Sequence, residues 1–220
     1  TFEKAFIGAP SLYPYLAVVD PELMLSVPAG FTAFQGFDAL FHSIEGYIAN
    51  GANLMSDMYA LTAIENLAKY LPRAIQNGND LEARTHVAFG NTLSGVVMCL
   101  TLITSEHGME HALSAYHPNL PHGAGLIMIS RAYLSYFVRN HACDERVIRM
   151  AQVMGMPEAD KPEDFITALT RLQEACGVAD LKMSDYGIAF EECEKFMHNA
   201  REVMGVMFTG ERIQMSDADI

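Results

Sequence analysis

Helical periodicity constrains this chain more than any other feature. Phe31, Phe34, Phe37, Phe41, Ile44 and Ile48 recur every three or four residues, the spacing that puts apolar side chains on one face of a helix. The pattern predicts one long amphipathic helix that closes near Asn50-Gly51, where a left-handed stop is cheap. The same period continues through the rest of the sequence. It predicts helices over 56–76, with Ser56-Asp57 as N-cap and Asn77-Gly78 as stop, over 81–102 behind Asn79-Asp80, and near 105–115, 123–139, 143–154, 163–176 and 189–207. Gly155, Gly177 and Gly210 fall where helices should stop. Period-two alternation is never sustained, so no sizeable sheet is encoded. Residues 1–28 differ: 16–19 form a short strand-like run closed by Asp20-Pro21, with Pro10, Pro14 and Pro28 as punctuation. The fold class is therefore all-α, with an extended lead-in over 1–28 and a helical domain over 29–220.

Composition narrows the partners. With 14 Lys+Arg against 27 Asp+Glu, the net charge of −13 argues against nucleic acid or an anionic membrane surface, both of which need clustered cations. The longest nearly apolar stretch, 96–103, is far short of the roughly 20 residues that span a bilayer. Cys99, Cys143, Cys176 and Cys193 show no C-x-x-C spacing and sit in apolar helical patterns, as expected of reduced, buried thiols in a cytoplasmic protein. Met150, Met154, Met197 and Met204 line helix faces and are assigned to core packing.

The histidines carry the chemistry. His107, His111, His117 and His122 crowd one short segment, and His107 and His111 are spaced i,i+4, so their rings leave one helical face together. Neutral imidazoles arranged in this way suit a divalent metal. Asp38 and His42 repeat the i,i+4 spacing on the apolar side of the first helix, near Phe34, Phe41 and Glu45, where an unpaired carboxylate is costly. A carboxylate with imidazoles and no thiolate suits Fe2+, Zn2+, Mn2+, Co2+ or Ni2+. Two chemistries fit. One is a zinc metallopeptidase, since His107, Glu110 and His111 match H-x-x-E-H. The other is metal-assisted alcohol oxidation. A non-catalytic helical module is the third reading.

At these residues the sequence resembles the iron-containing (group III) alcohol dehydrogenase family. The family's G-x-D-A-x-x-H-x-x-E helix, H-x-x-x-H helix and P-H-G turn have counterparts in order: Gly36 to Glu45, His107 to His111, and Pro121-His122-Gly123. Asp20-Pro21 and 56–60 also look like the family, so the resemblance spans essentially the whole chain. It implies a multi-helix, dehydroquinate-synthase-like C-terminal domain with Asp38, His42, His107 and His122 as metal ligands. His111 would stand near nicotinamide and substrate as a proton-relay or orienting residue, Glu45 would be structural, and Glu110 would be solvated or paired. The gap from His111 to His122 is one residue longer than the commonest family form, which sets His117 up as a rival to His122, although the Pro-His-Gly context favours His122. The resemblance further implies NAD or NADP, small primary alcohols and aldehydes as substrates, and a homodimer. The family's glycine-rich dinucleotide loop has no counterpart here, nor is there a G-x-G-x-x-G or P-loop pattern. Residues 1–28 are accordingly expected to lead in from an N-terminal dinucleotide-binding domain, without which the helical domain is expected to be inactive.

Overall fold

A computed structural model describes residues 2–220, and the described residues contain eight α-helices and no strand. These are α1 (Ala29–Ile48), α2 (Leu54–Gln76), α3 (Leu81–Leu100), α4 (Glu106–Tyr116), α5 (His122–Arg139), α6 (Asp144–Val153), α7 (Glu163–Ala175) and α8 (Cys193–Phe208). No described helix is long and apolar enough to cross a membrane.

Helix α1 is the axis of the fold. Phe37, Leu40, Phe41, Ile44 and Ile48 are fully buried, and α2, α3, α5 and α6 all pack against this helix. Phe31 departs from the periodic series: it lies in the first turn and is exposed, because burial begins only at Thr32. Helix α4 sits between α5 and α8, while α7 packs on α5 and α6. Met150 and Met204 are core residues as expected; Met154 and Met197 are half-buried at its edge.

Local chemistry sets the boundaries. Helix α2 starts two residues earlier than the sequence predicts, because Asn53 is its cap. The Asn53 Oδ1 accepts the Met55 and Ser56 amides at 3.1 Å, and the Ser56 hydroxyl accepts the Asn53 amide in return. Helix α3 stops at Leu100 because Thr101 is already extended. Gly155 and Gly177 follow α6 and α7 with positive φ, as helix-stopping glycines do. The last helix begins at Cys193, behind a short 3-10 turn at Phe190–Glu192 rather than at residue 189.

Two expectations fail. Residues 16–19 form no strand: Leu16 and Val18 are largely exposed, and no described neighbour offers a ladder. The lead-in carries instead two 3-10 turns, Pro10–Leu12 and Pro21–Met24. Nor are all four thiols buried. Cys176 is buried and Cys143 half-buried, but Cys99 and Cys193 are exposed.

Two contacts fix the elements that matter most below. Buried Arg84 donates to Gly78 O, to the Thr32 hydroxyl and to Val27 O, pinning the end of the lead-in to α1 and to the α2–α3 turn. Helix α5 begins directly on the α1 backbone: a Cβ at Gly123 would stand 2.2 Å from Phe34 O. Only glycine permits that approach, and the approach puts His122 beside Asp38. Gly123→Ala is therefore expected to force the two helices apart, at a cost of about 1–3 kcal/mol, read as a lower midpoint of thermal unfolding. An unchanged midpoint would mean that the helices are not seated this closely.

Candidate metal centre

Four side chains from three helices meet at one carboxylate oxygen. Asp38 Oδ1, on α1, lies 3.1 Å from His107 Nε2, 3.3 Å from His42 Nε2 and 3.6 Å from His122 Nε2. The i,i+4 spacing places Asp38 and His42 side by side, as the sequence predicts; α4 brings His107 and the first residue of α5 brings His122. The His42 and His107 rings stack with centroids 3.9 Å apart, and the His122 ring is 5.4 Å from that of His107.

The opposite ring edges are held from behind. His107 Nδ1 donates to Glu45, whose other oxygen accepts the Thr104 hydroxyl at 3.2 Å. His122 Nδ1 donates to Glu110. His42 Nδ1 is buried with no partner. Lys4, from the lead-in, reaches the same cluster: its Nζ donates to Glu110 at 3.1 Å and to the Ser114 hydroxyl at 3.0 Å, and lies 3.1 Å from His122 Nδ1. The backbone carbonyl of Lys4 accepts His111 Nδ1–H at 2.9 Å.

The electrostatics follow from this crowding. Burial pushes Asp38 up, but the hydrogen bond from His107 and the neighbouring imidazoles outweigh it and hold the carboxyl below its usual value. Burial, reinforced by His107, drops His42 to about 3. Burial also opposes charge on His107, yet Glu45 and Asp38 overcome it and raise this histidine to about 10. The His107 imidazolium therefore sits between the Asp38 and Glu45 carboxyl groups. A cation fits the same place, since three Nε2 atoms lie within 3.6 Å of one carboxylate oxygen and the donor set is the mixed N/O kind that divalent metals take.

The start of α4 is held by buried polar groups instead of a side-chain cap. The Ser105 amide donates to the Tyr133 hydroxyl, which in turn donates to Glu211, and the Ser105 hydroxyl donates to Glu211 as well. Glu106 is fully buried with neither oxygen partnered; burial and the nearby Glu45 push its pKa well up.

Several sequence expectations are resolved here. His117 is drawn away from the cluster to Glu192, at 3.1 Å, and does not compete with His122. The peptidase arrangement does not form. His107 groups with Asp38 and His122, or with His42 and Glu45, whereas His111 groups with Glu110 and His122; no described group unites His107 with His111. Glu110 is buried against His122 and Lys4, so it is paired, and it is not placed as the base of a peptidase. Lys4 is the residue that sequence reasoning missed. Nothing in Thr-Phe-Glu-Lys marks it, because its partners lie more than a hundred positions away.

The architecture is that of the helical part of an alcohol dehydrogenase. The crystal structure of an archaeal halo-thermophilic alcohol dehydrogenase from a Red Sea brine pool, ADH/D1, superposes with a TM-score of 0.93 at 27% identity, over 100% of this chain and 56% of that one. The chain belongs to the iron-containing alcohol dehydrogenase family: the family's C-terminal sequence model ("Fe-containing alcohol dehydrogenase family, C-terminal") matches residues 32–220. The NAD-dependent methanol dehydrogenase of Bacillus methanolicus is 30% identical over 86% of this chain and 50% of its own length. The 1,3-propanediol dehydrogenase of Klebsiella pneumoniae is 31% identical over 80% and 46% respectively. The chain thus spans about half the length of these relatives. They are enzymes, and neither the peptidase nor the non-catalytic reading finds support among them.

Burial and the Lys4 ammonium lower His111 to about 4, so this imidazole is neutral at pH 7. An unfolded histidine takes up its proton near 6.5, above the folded value; His111 therefore withdraws stability as pH falls from about 6.5 to about 4. In the metal-free chain its ring-proton NMR shift is expected to stay flat down to pH 5. Titration near 6.5 would show that the lead-in does not cover it.

Proposed function

We propose that this chain is the metal-binding, helical half of an NAD(P)-dependent alcohol dehydrogenase that interconverts small primary alcohols and aldehydes by hydride transfer. The observation that carries this reading is the convergence of three imidazole Nε2 atoms on Asp38 Oδ1. Asp38, His42, His107 and His122 hold the divalent cation: Fe2+ by family, with Zn2+, Mn2+, Co2+ and Ni2+ suited to the same donors. When bound, the cation acts as a Lewis acid that stabilises negative charge on the alcohol oxygen.

The remaining roles belong to the chain. His111 is the catalytic residue. Its Nδ1 proton is committed to the Lys4 carbonyl, which leaves Nε2 with a lone pair to accept the alcohol's proton and return it in the reverse direction. Burial keeps that imidazole neutral and ready for the task. Lys4 places an ammonium beside Glu110 and His122 and so limits the negative charge that accumulates there. The hydride passes to NAD or NADP held by an N-terminal dinucleotide-binding domain of the whole protein, with the lead-in joining the two parts. The methanol and 1,3-propanediol dehydrogenases support a small alcohol as substrate. A homodimer completes the proposal.

Metal analysis tests the centre. The wild-type chain is expected to hold one divalent cation, Asp38→Ala to lose it, and His117→Ala to keep it, since His117 is turned to Glu192. Unchanged metal in Asp38→Ala would overturn the assignment. In the whole enzyme, His111→Ala is expected to lower kcat by about a hundred- to ten-thousand-fold while metal content stays the same. An unaltered kcat would remove His111 from the reaction.

A further inference from the structure

The four proposed ligands are not equally supported from behind, and the difference lies in two glutamates that the reaction itself does not use. We infer that Glu45 and Glu110 are positioning residues that fix the rings of His107 and His122 and make their Nε2 atoms better donors to a divalent cation. The inference rests on the ligand set proposed above and deepens it.

The geometry for both is direct. Each carboxylate accepts the Nδ1–H of one histidine while the Nε2 of the same ring faces Asp38 Oδ1. An imidazole held at Nδ1 by a carboxylate can rotate little about its Cβ–Cγ bond, and the negative charge behind it raises electron density at Nε2. Both glutamates are themselves fully buried, which is expensive for a carboxylate without a function to offset it. Each also has its own fixture. Glu45 Oε1 accepts from Thr104 Oγ1, and Glu110 Oε2 is shared between the His122 ring and the Lys4 ammonium. Space for Glu110 depends on a missing side chain: a Cβ at Gly125 would stand 2.7 Å from Glu110 Cγ and 2.9 Å from its Oε1. His42 provides the contrast, since its Nδ1 has no partner and its ring is held by stacking on His107. A purely structural pair of acids would not both aim at the far nitrogen of rings whose near nitrogens share one oxygen.

The test uses the 220-residue chain and metal affinity, with no need for catalysis. Zn2+ dissociation constants are measured by chelator competition, and Co2+ ligand-field spectra report the geometry of the donors. Glu45→Gln and Glu110→Gln keep volume and an acceptor oxygen but lose the charge; each is expected to weaken Zn2+ by about 10- to 100-fold and to shift the Co2+ bands. Glu192→Gln, at the His117 pair outside the cluster, serves as the control and is expected to match wild type. Apo-protein unfolding midpoints separate folding from binding. Zn2+ affinity in both site variants within twofold of wild type, while Asp38→Ala has lost the metal, would overturn the inference alone. An equal fall in Glu192→Gln would overturn it too, by marking a general effect on the fold. Retention of metal by Asp38→Ala would instead overturn the ligand set beneath it.

Discussion

A carboxylate on the most deeply packed helix is the constraint on which the rest of the structure depends. Asp38 stands one residue from Phe37 and two from Leu40, both fully buried, on an axis that four other helices cover. Asp38 itself is half-buried, and the fold surrounds its carboxylate with partners from elements far apart in sequence. His107 arrives across 69 positions, and His122 comes in on a helix that begins against the α1 backbone. Two of these imidazoles are held in turn from behind by Glu45 and Glu110. The centre is thus a layered arrangement of acid, imidazole and acid, each layer hydrogen-bonded to the next.

The parts of this arrangement that lie along single helices were legible in the sequence. Asp38 with His42 is a same-face pair, and the apolar period around it locates the helix; the Pro-His-Gly turn marks the start of α5. Pairings that cross between helices were not legible, because no period relates Glu110 to His122 or Glu45 to His107. The H-x-x-E-H string shows the hazard. Its residues share one short helix, yet His107 turns to Asp38, His111 to the Lys4 carbonyl, and Glu110 to a histidine outside the string. Spacing reports which side chains share a face; it says nothing of what that face meets.

The errors at element boundaries and on the surface have similar origins. Ser56 belongs to the α2 capping box, but as its third residue, because Asn53 precedes it with the stronger arrangement. Cys99 and Cys193 lie in helical apolar patterns yet face outward, as Phe31 does. An apolar period fixes the direction of a stripe. Its width, and hence which edge residues escape burial, is set by neighbours the sequence does not name.

Helix α4 carries a consequence of its own. It is eleven residues long and has no side-chain cap at its N-terminus. Helices shorter than about 12–15 residues are marginal in water, so α4 owes its order to what surrounds it. Its N-cap Ser105 is tied to Tyr133 and Glu211, and its first two turns are tied to the cluster through His107 and Glu110. Because His107 and Glu110 also belong to the centre, the order of this helix and that of the centre are coupled. Amide protons of α4 should then exchange with solvent as a block, and the rate at which they do so is a direct measure of how firmly the imidazoles are held.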